Sequence, residues 1–482
     1  MHSSIIFRVL GILLMLFSIT LLPPVLVSVL YDDQSIDAFI ISFLITFGAG
    51  LLIWLPVYNQ KQDLRTRDGF LITALFWAVL GLAGSLPFIL HEATNLSLVD
   101  AVFESISGLT TTGATVITGL DTLPQSILFY RQQLQWLGGI GIIVIAVAIL
   151  PMLGIGGMQL YRAETPGPVK DSKLTPRITQ TAKALFLIYV SLTIACALAY
   201  WLAGMTIFDA ICHAFSTVAI GGFSTHDASM AFFDSPAILI IAIIFMVLSG
   251  INFALHFVAW RSKSILHFIK DPECKFYLWC IFFGTVVTVF YLYSQNIYSF
   301  KESLLFGSFE LVSILTTTGF SVAEYSQWPT FLPFMLFMFA LMGGCGGSTA
   351  GGIKVMRVML ICKQGIREIY RLIHPNAIIL VKVGNKTVSD RVIQSVWGFF
   401  AAYVISFMIM FLILMATGLD FLTAFTAIGA CINNLGPGMA DVAAHYGDIN
   451  STAKWVLCFA MLLGRLEVFT LLVLLTPAFW RQ

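Results

Sequence analysis

Four segments of this chain align on a single glycine: Gly113, Gly222, Gly319 and Gly436. Each glycine closes a semi-polar stretch of about a dozen residues (99–112, 206–221, 303–318 and 420–435) that lies between longer apolar runs. Crossing a bilayer as a helix takes about 20 apolar residues, so these stretches are long enough to enter the membrane but too short to traverse it. The register extends beyond the glycine. Thirteen residues before it stand Asp100 and Asp209 in the first two segments, and one position later come Ala101, Ala210, Gly307 and Ala424. Nine residues before it are Glu104, His213, Glu310 and Ala427. Downstream, Gly139, Gly250, Gly344 and Gly464 follow their anchors by 26, 28, 25 and 28 residues.

The unit implied is span, short re-entrant helix, glycine turn, span. With anchors 109, 97 and 117 residues apart, four units occupy 70–160, 161–262, 263–391 and 392–482, and residues 1–69 form a pair of spans outside the repeat. Composition agrees with a membrane setting. Apolar residues make up 58% of 482 and charged residues 11%, with mean hydropathy +0.91, whereas soluble domains carry about 25% charge. The expected fold is an all-α integral membrane protein of about ten spans, at roughly 5–30, 37–58, 70–91, 133–153, 183–203, 236–260, 276–295, 331–360, 393–418 and 454–478. The first run is too long for a signal-peptide core and is read as a retained span. Eight cysteines without CxxC spacing argue against a disulfide framework or a zinc site. The net charge of +1 gives no reason to expect a nucleic-acid partner.

Lysine and arginine sort to one side. Lys61, Arg65 and Arg67 share one loop; Arg162, Lys170, Lys173, Arg177 and Lys183 the next; then Arg261, Lys263, Lys270 and Lys275; then the stretch 354–391. The opposite loops hold little beyond Arg131, Lys301 and Lys454. The positive-inside rule makes the basic loops and both termini cytoplasmic, so the four short segments enter from outside.

Carbonyls aimed at one axis can replace the hydration shell of an alkali cation. The backbone conformations this needs are resisted by residues with a Cβ and permitted to glycine. Four such turns complete a ring, and the short helices before them direct their partly negative C-terminal ends toward its centre. Irregular backbone at that depth is tolerable where it lines a watery path.

The segments LTTTGATV (109–116), AIGGFST (219–225), LTTTGFSV (315–322) and NNLGPG (433–438) resemble the four filter segments of the Trk/Ktr/HKT superfamily of potassium transporters. The N-terminal pair of spans, the QLQWLGGIGI run (133–142) and the length are similar to its bacterial Trk branch in particular. The resemblance covers essentially the whole chain. It implies a homodimer in the bacterial inner membrane, embedded in lipid, each protomer carrying its own K⁺ pore, gated by a cytosolic nucleotide-binding ring of the TrkA type. The transported ion is K⁺, and no cofactor is expected. The filter positions carried over are Thr111, Thr112 and Gly113; Ile220, Gly221 and Gly222; Thr317, Thr318 and Gly319; and Asn434, Leu435 and Gly436. Only the last of each trio is shared by all four. The TVGYG run of dedicated potassium channels is absent, which predicts fewer strong sites and weaker discrimination against sodium. In plant relatives a serine at the first filter glycine accompanies sodium permeation, and Gly113 argues against that here.

Six glycines fall within 343–352, and each costs a helix about 1 kcal/mol relative to alanine. This predicts a flexible intramembrane loop below the filter, a gate comprising Gly346, Gly347, Ser348, Thr349, Ala350, Gly351 and Gly352, and the family has a loop at this position. Arg465 and Glu467 fall mid-span, where charge is expensive. Arg465 either faces the pore as part of the gate or makes a structural salt bridge. Glu104, Glu310 and His213 are expected to tie pore helices to filter turns, and Asp121, Asp234 and Asp441 to form a solvated rim. His226 and His445 read as surface residues. The basic stretch 354–391 offers either a docking surface, with Arg367, Glu368, Arg371 and Lys382 foremost, or attraction to anionic lipid. No P-loop, nucleotide-binding glycine fingerprint or nucleophile–base pair suggests an enzyme. The rival to a channel-like pore is a symporter coupled to H⁺ or Na⁺, for which Glu467 is the candidate carboxylate.

Overall fold

A computed structural model describes residues 3–59, 66–139, 141, 178–329 and 331–481 of the chain. It is a helical, multi-pass membrane protein. Among the described residues six helices are long and apolar enough to cross: Ser3–Tyr31, Ile36–Val57, Arg67–Leu90, Lys183–Leu202, Pro272–Ser294 and Asp390–Ala416. Two bent helix pairs are apolar enough to cross when taken together, Pro236–Ser249 with Phe253–Ser262 at 95° and Ser451–Arg465 with Phe469–Leu475 at 117°. The runs expected at 133–153 and 331–360 are not among them, and Phe331–Met342 is a shorter apolar helix. Of the former the structure describes Gln125–Gly139, which starts eight residues earlier than expected; its second half lies outside the described residues, as do Lys61, Arg65, Arg162, Lys170, Lys173 and Arg177 of the basic loops.

The N-terminal pair packs through glycine. A Cβ on Gly11 would lie 2.7 Å from the Gly50 carbonyl, and one on Gly50 would lie 2.8 Å from the Gly11 carbonyl, so the two backbones touch. Small residues permit this approach where no hydrophobic effect drives helices together. Arg67 Nη1 donates to the Arg481 carbonyl at 3.0 Å, which places the start of the third span and the C-terminal end on one side.

The four short helices run Leu98–Leu109, Ile207–Ala219, Phe300–Leu315 and Phe421–Ile432. Each begins at a capping side chain. Ser97, Thr206 and Ser299 accept the amides of Asp100, Asp209 and Glu302, and Asp420 accepts those of Leu422 and Thr423. Such caps satisfy amides that helix geometry leaves unpaired, each for about 1 kcal/mol. Ser299 and Glu302 form a full capping box. The cap stands 16 residues before the anchor in three units and 20 before it in the third, so the third short helix is one turn longer.

Three of the spans that follow the anchor glycines break, one of them where the glycine run predicted a loop and the other two where sequence suggested a continuous span. Pro236–Ser249 ends at Gly250, and Asn252 then caps a new helix by accepting the Ala254 amide at 2.8 Å. Phe331–Met342 gives way to an irregular loop before Val355–Ile373. Ser451–Arg465 ends before Glu467 and Val468, both left-handed at φ 51° and 58°. Apolar residues resume beyond each break, so hydropathy alone runs the two sides together.

Candidate functional site

Each short helix ends in the same way. The amide one residue before the anchor glycine reaches back five residues: Thr112 to the Ser107 carbonyl at 2.9 Å, Gly221 to Ser216 at 2.8 Å, Thr318 to Ser313 at 2.8 Å and Leu435 to Ala430 at 2.8 Å. The preceding amide makes the companion bond three residues back, from Thr111, Ile220, Thr317 and Asn434 at 3.0, 3.2, 3.0 and 3.2 Å. These are four Schellman closures, which require a left-handed residue. The residue is not glycine in any of them: Thr111, Ile220, Thr317 and Asn434 stand at φ 55°, 55°, 64° and 53°. A β-branched residue such as Ile220 is an outlier there, and each such position stores about 1–3 kcal/mol. The anchors themselves are left-handed as well, at φ 81°, 79°, 84° and 97°.

This alternation consumes the first two amides of each trio on the short helix and leaves the carbonyls to the other side. A Cβ on Gly113 would lie 2.1 Å from the Gly221 carbonyl oxygen, on Gly222 2.0 Å from that of Thr318, on Gly319 2.1 Å from that of Leu435, and on Gly436 2.6 Å from that of Thr112. The contacts run from first to second, second to third, third to fourth and fourth back to first. The twelve sequence-selected residues therefore surround one centre. All except Gly113, Gly222 and Gly319 are buried. The carbonyls of Thr112, Thr318 and Leu435 accept no protein hydrogen bond among the described residues, and a buried carbonyl needs water or a cation to replace one. Gly221 differs: Gln135 Nε2 donates to its carbonyl at 2.6 Å, while Gln135 Oε1 accepts from Ser216 Oγ and the Phe223 amide.

Behind the ring, the residues nine before the glycine hold the outgoing strands. Glu104 accepts from the Val116 amide at 2.9 Å and from Thr115 Oγ1. His213 bonds Ser224 Oγ at 2.9 Å. Glu310 accepts from the amides of Val322 and Ala323 at 2.7 and 3.0 Å. In the fourth unit, where this position is Ala427, Thr426 pairs with Met439 instead. Arg131 and Lys454 are not loop charges. Arg131 is buried, binds Glu104 at 2.8 Å and donates to the Ser224 carbonyl. Lys454 is buried too and reaches Asp100 in the first unit at 2.6 Å.

Above the ring a belt joins successive units. Asp227 accepts from the Gly119 amide at 3.0 Å, Met230 donates to the Ser321 carbonyl at 3.1 Å, Tyr325 to the Gly438 carbonyl at 3.1 Å, and the Tyr446 amide to the Thr115 carbonyl at 2.8 Å. His226 is more than a surface residue: it lies 2.5 Å from Asp121 and 3.5 Å from Asp209, stacked on Phe232. Burial alone would lower its pKa, but the carboxylates of Asp209 and Asp121 outweigh that and raise it above the ordinary value.

Below the ring sits the glycine loop. The Gly351 amide donates to Thr317 Oγ1 at 2.7 Å and the Gly352 amide to the Asn433 carbonyl at 3.0 Å. Thr349 Oγ1 donates to the Val218 carbonyl at 3.0 Å. A Cβ on Gly351 would lie 1.9 Å from the Asn433 carbonyl. The far edge is pinned by the Gly346 amide on Glu273 at 2.7 Å and by the Phe253 amide on the Gly347 carbonyl at 3.0 Å. Ala350 is buried and its carbonyl accepts from Lys354 Nζ, while Ser348 turns back on Cys345. Arg465 spans the remaining side, donating to Thr111 Oγ1 at 3.3 Å, to the Thr349 carbonyl at 3.4 Å, and to the carbonyls of Gly138 and Gly139. Glu467 pairs with Arg357 at 2.5 Å. Of the downstream glycines, Gly138 and Gly464 make the matching contacts, against the carbonyls of Leu109 and Ile432, each four residues before its anchor; Gly139 instead faces Tyr189 and Ala219.

Comparison with known proteins agrees with this geometry. The family model for TrkH, described as a cation transport protein, matches residues 35–481. The potassium uptake protein TrkH of Halomonas elongata is 58% identical over 482 residues, covering all of both chains. TrkH of Escherichia coli K12 is 52% identical over 483 residues, again at full coverage of both. The crystal structure of the potassium transporter TrkH from Vibrio parahaemolyticus superposes with a TM-score of 0.91 at 52% identity, with both chains fully covered.

Proposed function

The chain belongs to the TrkH family of cation transport proteins, and from that premise we propose that it takes up K⁺ through a selective, channel-like pore whose filter is the ring of Thr112, Gly221, Thr318 and Leu435 carbonyls with their neighbours. The observation that carries this reading is the ring itself: left-handed turns in register, each glycine against the carbonyl of the next unit, with three of the four carbonyls lacking any protein donor among the described residues. Buried carbonyl oxygens of this kind bind a dehydrated cation in place of water. The four units 70–160, 161–262, 263–391 and 392–482 are the pore-forming repeats of this reading.

The loop 346–352 is the gate. What supports this reading is its bonds to Thr317, to the Asn433 carbonyl and to Val218 at the end of the second pore helix, with Arg465 bridging Thr111 and the Thr349 carbonyl. The bonding supports the pore-facing reading of Arg465 over a purely structural bridge. A cytosolic nucleotide-binding ring would act on this loop through the basic segment that follows it. Arg367 is the weakest docking candidate of the four named, since it is buried and bound to Asp390 at 2.8 Å. The chain would work as a homodimer in the bacterial inner membrane with both termini in the cytoplasm. Symport would require a carboxylate available to load an ion, and Glu467 is engaged by Arg357.

The test is rubidium-86 uptake into KCl-loaded proteoliposomes of the purified protein, with external K⁺, Na⁺ or Li⁺ as competitor. K⁺ should compete best. Absence of uptake from both the parent chain and a 346–352 deletion would overturn the pore.

A further inference from the structure

The four positions nine residues before the anchor glycines surround the filter at one level, and their charges can be followed individually. Glu104 is compensated by Arg131, with Nε 2.8 Å from Oε1. His213 donates from Nδ1 to the Asp209 carbonyl at 2.9 Å, and its Nε2 lies 2.9 Å from Ser224 Oγ, contacts that a neutral imidazole satisfies with the serine hydroxyl as donor. Ala427 carries nothing.

Glu310 is the exception. It is completely buried. Its Oε1 takes both strand amides, from Val322 and Ala323. Its Oε2 is buried with no hydrogen-bond partner, and no cation pairs with it among the described residues. The position that holds Arg131 in the first unit, 18 residues past the anchor, is Phe337 in the third. The nearby Tyr325 hydroxyl donates to the Gly438 carbonyl. A carboxylate here would be a bare charge in a dry site, which is far costlier than a neutral polar atom left without a partner.

We propose that Glu310 is held as the un-ionised acid, with its proton on Oε2, and acts as a neutral positioning residue for the third filter strand. The four equivalent positions then contribute no net charge around the filter: one ion pair, one neutral imidazole, one carboxylic acid and one methyl group. Cation binding would rest on carbonyl dipoles, and the strand 322–323 would keep its place because a neutral Oε1 still accepts both amides.

The experiment compares Glu310→Gln, Glu310→Ala and the parent chain by infrared difference spectroscopy and by rubidium uptake with Na⁺ competition. Only the uptake arm rests on the proposed pore, and uptake by the parent tests that reading separately. The parent-minus-E310Q spectrum should show the carbonyl stretch of an un-ionised carboxyl group. Uptake and its preference for K⁺ should fall at least tenfold in E310A and be restored to within about threefold by E310Q, since glutamine keeps the amide acceptor without a charge. A carboxylate stretch in the difference spectrum would overturn the proposal. So would E310Q failing as badly as E310A while remaining monodisperse in detergent.

Discussion

The Gly351 amide donates to Thr317 Oγ1 at 2.7 Å, so the glycine loop hangs directly from the underside of the third filter segment. If the loop gates the pore as proposed, it cannot move independently of that segment. Such an opening would free the Thr317 hydroxyl and, at the opposite edge, Arg465 from the Thr349 carbonyl. Deleting 346–352 should raise basal rubidium uptake at least about tenfold if the open state is a minor population of the resting protein. Unchanged uptake in a deletion protein that still folds would remove the loop from gating.

Arg465→Ala is expected to act in the same direction by a different route. The guanidinium bridges a filter residue, the loop and two helix-end carbonyls, and bonds from a charged donor are each worth about 1.5–3 kcal/mol. Uptake should rise severalfold while the melting temperature in detergent falls. A loss of folded protein with no gain of flux in the remainder would make Arg465 a structural brace only.

The four anchor glycines should not be equally sensitive. Gly113, Gly222 and Gly319 would each drive a Cβ to within 2.0–2.1 Å of the next unit's carbonyl, whereas Gly436 would place it at 2.6 Å. All four are left-handed, so every alanine is strained. Alanine at the first three should abolish K⁺ uptake, and alanine at Gly436 should leave a measurable remainder with poorer discrimination against Na⁺. Equal loss at all four positions would show that φ, not the close approach, sets the requirement.

Sequence reading located the four short helices to within a few residues because their boundaries are local: a capping side chain at one end and a glycine in register at the other. It failed where the decisive partner is remote. Arg131 and Lys454 looked like loop charges, since nothing near them in sequence advertises Glu104 or Asp100 as the acid each meets. The breaks at Gly250 and after Arg465 were hidden because apolar residues resume within a few positions, and only the glycine-rich third break announced itself. Gln135 was missed although a signal was present, because three glutamines at 132, 133 and 135 are out of place in an otherwise apolar run. Its contact with Gly221 shows that the ring is four-fold in backbone but not in its supporting side chains.

Removing one member of the Glu104–Arg131 pair should be far worse than removing both. Both side chains are essentially fully buried, and breaking a buried pair from one side typically costs about 3–5 kcal/mol because it strands the other charge. Arg131→Met should therefore yield little folded protein, and adding Glu104→Gln should recover much of it, since glutamine still accepts from Val116. A double variant no more stable than Arg131→Met alone would mean that the guanidinium matters through its bond to the Ser224 carbonyl instead.

The outer junction of the first two units should respond to pH. His226 lies between Asp121 of the first unit and Asp209 of the second, with the Asp227–Gly119 bond alongside. Burial works against its charged form, but the two carboxylates prevail and raise its pKa above the ordinary value near 6.5. A group whose folded pKa is raised stabilises the fold fully below its unfolded pKa, and that contribution is lost as pH rises through the folded value. The protein should thus be most stable toward acid from this source and lose about 1 kcal/mol or less as pH climbs upward from about 6.5. His226→Gln should flatten that slope while leaving stability above the transition nearly unchanged. Melting curves in detergent across this range would check it, and identical pH slopes for the two proteins would mean that His226 holds the junction through its stacking on Phe232 and not through its charge.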